Sequence, residues 1–125
     1  MADASKDYPS GRQFADGYGL SSGDSAYYGH AYAPNVNSPR HSALLADLAG
    51  LPPTVLVTAG LDPLRDGGRA LAGKLAASGV AVSYYEVPGM IHGFATYRRG
   101  IVSAQGELDH AMALARAMLA KEVVK

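Results

Sequence analysis

The sequence predicts an α/β fold: a parallel β-α-β unit followed by a C-terminal helix. Three observations carry this. Thr54-Val55-Leu56-Val57-Thr58-Ala59 is a short apolar, β-branched run, suited to a strand buried on both faces of a parallel sheet. Leu64, Gly68, Leu71 and Leu75 then recur at helical spacing, with Arg65, Arg69 and Lys74 on other faces. Residues 80–87 form a second β-rich run, which Pro88-Gly89 is expected to end. A β-α-β crossover is right-handed and leaves both strands parallel, so their C-terminal ends share one sheet edge. Open α/β sheets bind ligands at that edge.

The remaining elements follow in order. Residues 1–12 are small and polar and are expected to be frayed or disordered. Ser21 or Ser22 can cap a short helix through Asp24, Ala26 and Tyr28. Residues 33–40 hold two prolines and two asparagines and read as loop. Residues 43–49 are expected to form one or two helical turns, closed by Gly50-Leu51-Pro52-Pro53. Pro63 fits the first position of the helix after the first strand, and Gly79 suits a left-handed cap at its end. Residues 105–121 read as an amphipathic helix with Leu108, Met112, Ala115 and Leu119 on one stripe. Glu107 and Asp109 near its start and Lys121 near its end suit the helix dipole.

Composition excludes several classes. The 125 residues allow one domain. Eleven basic residues balance 11 acidic ones, so nothing draws the chain to nucleic acid or an anionic membrane. With no cysteine, disulfides and thiolate chemistry are out. No apolar run reaches the ~18 residues of a membrane span, and the N-terminus lacks a signal peptide's apolar core. The default compartment is the cytoplasm. His30, His41 and His110 show no ligand spacing, so no metal site is expected.

Asp62 and His92 stand just past the two predicted strands, 30 positions apart. A serine hydroxyl is a weak nucleophile until a histidine takes its proton, and the histidine needs a carboxylate to fix its tautomer. Asp62 suits the orienting role and His92 the base role. Each also has a plainer reading: a turn or capping aspartate before Pro63, and a loop histidine with a structural hydrogen bond. Asp66 reads as a first-turn carboxylate facing the helix dipole. Arg65, Arg69, Arg98 and Arg99 read as solvated surface charges, and at least one of Tyr84 and Tyr85 as packing. Gly23-Asp24-Ser25-Ala26-Tyr27 imitates a nucleophile elbow, but lacks its closing glycine and a preceding apolar strand. Ser25 therefore reads as a helix residue. No His-Gly-Gly-Gly run offers an oxyanion hole.

Ser38-Pro39-Arg40, Leu51-Pro52-Pro53-Thr54, Asp62-Pro63-Leu64-Arg65-Asp66-Gly67 and Gly89-Met90-Ile91-His92-Gly93-Phe94, in this order, resemble the C-terminal part of the hormone-sensitive-lipase-like esterases, a branch of the α/β-hydrolase fold. The resemblance covers roughly residues 14–122. It implies a partial α/β-hydrolase domain over residues 13–125. Residues 13–50 would be a cap-side connecting segment and residues 51–125 the portion bearing acid and base. It further implies that Asp62 is the triad acid and His92 the triad base of a carboxylic ester hydrolase acting on small ester substrates without cofactor. The family's nucleophile and oxyanion-hole glycines lie in a half not matched here, so the chain alone is expected to be nearly inactive. It would be completed by an N-terminal half or by oligomerisation. Two other readings stand beside this one: an inactive truncated hydrolase serving as an interaction or assembly module, and a small α/β binding domain unrelated to hydrolases.

Overall fold

The computed structural model describes residues 2, 3 and 5–123, with side chains through residue 120. Helices α1 (Pro9–Gln13) and α2 (Ser22–Tyr32) come first, then a 3-10 turn at Ala43–Leu45. Strand β1 (Thr54–Leu61), helix α3 (Arg65–Ala77), strand β2 (Val82–Ile91) and helix α4 (Ala104–Val123) complete the order. This is the expected α/β arrangement: parallel strands with helices packed on them.

Strands β1 and β2 pair in parallel, Thr54 opposite Val82 through Ala59 opposite Val87. Side chains alternate between the two faces. Ala59, Val87, Met90, Phe94 and Ala104 form a core beneath α4, joined by Val57, Tyr85, Ile101 and Leu108. Leu48, Leu75 and Val80 form a second core on the α3 side, with Leu71 and Val82 against it. Among the described residues the sheet has these two strands, and β1 is only half-buried from Thr54 to Thr58. A run this apolar lies open along one edge, with no third strand among the described residues to cover it.

Close approach and capping shape α3. A Cβ on Gly68 would stand 2.3 Å from Thr58 Cγ2, so glycine lets the helix settle onto β1. At its end Gly79 takes φ +78°, with Gly79 N–H donating to Ala76 O and Val80 N–H to Leu75 O. That is the paired bonding of a Schellman cap. Helix α2 closes its start with a capping box: Ser21 Oγ accepts from Asp24 N–H, and the Asp24 carboxylate accepts from Ser21 N–H.

The structure corrects four expectations. Strand β2 does not end at Pro88-Gly89. It runs on to Ile91, with a shift of register between Ala59 and Leu61 on its partner. Pro88 has no N–H to give and Gly89 sits at φ +71°, so the ladder bulges and resumes. The inward stripe of α4 is not the one read from its largest residues. Met112 is 52% and Leu119 66% exposed, while Ala104 is buried and Leu108 packs on the core. Ala111, Leu114, Ala115 and Met118 are half-buried on the same side, so the packed stripe is turned from the expected one. Pro63 precedes the cap residue Leu64 rather than opening the helix. Last, Pro9–Gln13 is helical with Ser10 fully buried, where a frayed segment was expected through Arg12. Met1, Ala4 and the Lys121 side chain lie outside the described residues.

Candidate active site

The turn after β1 holds Asp62 from two directions. Its Oδ1 accepts from Leu64 N–H at 2.8 Å, and its carbonyl accepts from Arg65 N–H at 3.1 Å. This is the local turn bonding that short acidic side chains favour. It leaves Oδ2 aimed out of the turn, 3.0 Å from His92 Nδ1. The plain reading of Asp62 as a turn residue and the reading as a partner for His92 are thus both true of one side chain.

His92 follows β2 and begins a tight turn. Phe94 N–H donates to Ile91 O, Gly93 takes φ +73°, and Phe94 is buried in the core beneath α4. The turn is anchored below while the ring stays 35% exposed; the Asp62 side chain is 12% exposed. An ionised carboxylate can only accept. The bond to Asp62 therefore places a proton on Nδ1 and leaves Nε2 of a neutral ring as an acceptor. That is the tautomer a general base needs.

The surroundings are an open groove lined by Val57, Thr58, Leu71 and Phe94 together with Asp62 and His92. Ser25 lies in α2 and borders a different hollow, with Tyr8, Arg12 and Leu64.

Arg65 departs from the surface role expected of it. Its side chain is 15% exposed, with the guanidinium 5.0 Å from the centre of the Phe14 ring. It donates to Asp66 Oδ1 at 2.9 Å and to Gly60 O at 3.1 Å. Asp66 also accepts from Ser10 N–H at 2.9 Å and from Arg69. Burial pushes its carboxyl up, but these donors outweigh burial and hold it below the usual aspartate range. Arg69 forks onto Glu86, and that bond first of all draws the glutamate below its usual range. Tyr84 bonds Thr58 and Glu86 on the α3 face, while Tyr85 joins the α4-side core and donates to Glu107. His41 and His110 lie against the rings of Tyr32 and Tyr85. No cluster of three or more metal-ligating side chains occurs among the described residues. Sequence reading missed Ser10, Phe14 and Tyr18 as neighbours of the acid and base turns, and no local pattern marks them.

A parallel sheet presenting an aspartate–histidine pair at its C-terminal edge calls for comparison with known hydrolases. Residues 1–96 match the family model described as the alpha/beta hydrolase fold. The chain belongs to the α/β-hydrolase family. Among curated members it is 41% identical over 68 residues to carboxylesterase NlhH of Mycobacterium tuberculosis, an overlap of 54% of this chain and 20% of that one. The chain thus spans about a fifth of that relative's length. Among solved α/β hydrolases, the ester hydrolase EH1AB1 from the Lake Arreo metagenome matches with TM-score 0.89 and 39% identity, over 95% of this chain and 39% of that one. A hormone-sensitive lipase from a metagenome library matches with TM-score 0.81 over 94% of this chain and 41% of that one; at 21% identity it speaks for the fold alone. The likeness to hormone-sensitive-lipase-like esterases that the motifs implied is what these matches show.

Proposed function

We propose that this chain supplies the acid, Asp62, and the base, His92, of a serine-type carboxylic ester hydrolase. The observation that carries it is the 3.0 Å bond from His92 Nδ1 to Asp62 Oδ2 at the C-terminal edge of a parallel sheet. In that role Nε2 takes the proton of a serine hydroxyl as it attacks the ester carbonyl, then delivers it to the departing alcohol. Asp62 holds the imidazolium that forms between the two steps. The substrate class is a small ester, and the chemistry needs no metal or organic cofactor.

The serine comes from outside this sequence, in a complementing N-terminal half. Ser25 lacks the elbow motif and borders another hollow. On this reading the chain alone turns over p-nitrophenyl butyrate no faster than Ser25→Ala does. A chimera gives the positive arm: residues 1–125 replace the matching part of the Lake Arreo ester hydrolase. It is expected to be active, and Asp62→Asn within it to lower kcat by roughly 10⁴, the loss seen when a triad carboxylate can no longer hold the tautomer. Full activity after His92→Ala would remove the base assignment.

A second reading is favoured by the unpaired, half-buried edge of β1: an inactive hydrolase that works as an assembly module through strand pairing. Light scattering separates the two, since a folded monomer needs no pairing partner. No described helix is long and apolar enough to cross a membrane, and a cytoplasmic site of action completes the proposal.

A further inference from the structure

We propose that residues 10–19 act as a strap fixing the acid turn and the base turn relative to each other, with Arg65 and Phe14 as positioning residues. The inference rests on the reading of Asp62 and His92 as acid and base.

The two turns belong to different strands, and beyond the bulge between Ala59 and Leu61 one resumed pair, Leu61 opposite Ile91, stands next to them. A second tie comes from the N-terminal arm. The segment from Ser10 to Gly19 touches both. At the acid turn, Ser10 Oγ donates to Pro63 O at 2.9 Å and accepts from Asp66 N–H at 3.2 Å, while Ser10 N–H donates to Asp66 Oδ2 at 2.9 Å. Leu64, the cap residue of α3, makes no side-chain cap of its own. Ser10, 56 positions before Asp66, does that work.

Four residues on, Phe14 is buried against the Arg65 guanidinium. Arg65 carries the contact to Gly60 O, at the end of β1 just before Asp62. Its planar fork serves both the stack and the bond, which lysine would not reproduce. Phe14 also meets Tyr18 edge-to-face, ring centres 5.0 Å apart. Tyr18 O then accepts from His92 N–H at 2.9 Å. Gly19, at φ +90°, lies so close that a Cβ there would stand 2.6 Å from His92 O. One continuous path of contacts thus joins the backbone before Asp62 to the backbone of His92. Displacing catalytic groups by about 1 Å can cost 10²-fold in rate, so such a strap bears on the chemistry without touching substrate.

The test follows the His92 Nδ1 proton by NMR of the full chain with labelled histidine, under conditions where circular dichroism shows every variant folded. Asp62→Asn identifies the resonance by abolishing it. In Arg65→Lys, Phe14→Leu and Gly19→Ala the resonance is expected to move upfield, and its exchange with water to quicken by roughly five- to tenfold, the factor one weakened hydrogen bond carries. Ser21→Ala, in the exposed cap of α2, is expected to leave it unchanged. If folded Arg65→Lys and Gly19→Ala both retain the wild-type resonance and exchange rate, the strap is refuted while the acid–base pair stands. If the wild-type chain shows no resonance that depends on Asp62, the pair itself fails, and the strap with it.

Discussion

The β1-α3-β2 unit and the N-terminal arm that precedes it are held by different forces. The first is built by continuous burial. Its strands face helices on both sides, and Ala59, Leu75, Val80 and Val87 are nearly without solvent. The arm has few such residues. Helix α2 buries none and stands on its own capping box, with Tyr27, Tyr28 and Tyr32 exposed. What attaches the arm is a handful of points: Ser10 on Asp66, Phe14 on Arg65, Tyr18 on His92, Leu48 in the core with Leu75 and Val80, and Lys74 Nζ donating to Leu44 O and Ala46 O. A region rich in apolar area can lose one contact and keep its shape. A region pinned at points loses its placement with one pin, and here two pins sit beside the acid and the base.

Truncation of the buried unit should give the largest effect. Leu75→Ala, in the core on the α3 side, is expected to cost about 2–5 kcal/mol of stability in urea titration. Leu119→Ala on the exposed side of α4 should cost no more than about 0.5 kcal/mol. Equal costs would show that burial does not distinguish these helices.

A smaller and more local effect should mark the arm. Ser21→Ala removes the capping box and is expected to weaken α2 by about 1 kcal/mol. Hydrogen exchange should quicken at the α2 amides and stay unchanged in β1, α3 and β2. Spread of the change into the sheet would mean that arm and unit fold as one.

The smallest effect is electrostatic and depends on pH. The Arg69 fork draws Glu86 below its ordinary value near 4.5. A carboxyl whose folded pKa is depressed binds fewer protons folded than unfolded, so its share of stability is complete above that value and is lost as pH falls below it. The pair is largely solvated, with Arg69 48% exposed, and its worth is under about 1 kcal/mol. Glu86→Gln should flatten the acid limb of the stability–pH curve by that amount and leave neutral stability lower. An unchanged acid limb would assign the slope to Asp66, which its donors also hold low.

Much of the unit was legible before its coordinates. The β-branched run at 54–59, the spacing of Leu64, Leu71 and Leu75, and Gly79 each announce local structure through neighbours a few residues away. Placing Asp62 and His92 just after two parallel strands was enough to expect them together, and they are 3.0 Å apart. The continuation of β2 through Pro88-Gly89 was not legible, because a bulge depends on the partner strand. Nor was the phase of α4, where Ala104 and Leu108 pack on the core while Met112 and Leu119 face solvent. Arg65 was misread because a charged side chain goes inside only when a carboxylate, a carbonyl and an aromatic face await it, and these come from Asp66, Gly60 and Phe14.

By itself, then, the sequence determined the β-α-β order, the capped start of α2 and the capped end of α3, and which carboxylate and imidazole meet at the sheet edge. Those features arise from periodicity and turn chemistry within short stretches of chain. Only the tertiary structure decided that Ser10 caps α3 across 56 positions, that Phe14 buries Arg65, and that Tyr18 holds the backbone of His92. Such contacts form between residues whose patterns carry no mark of each other, and they exist only once packing has brought their elements together.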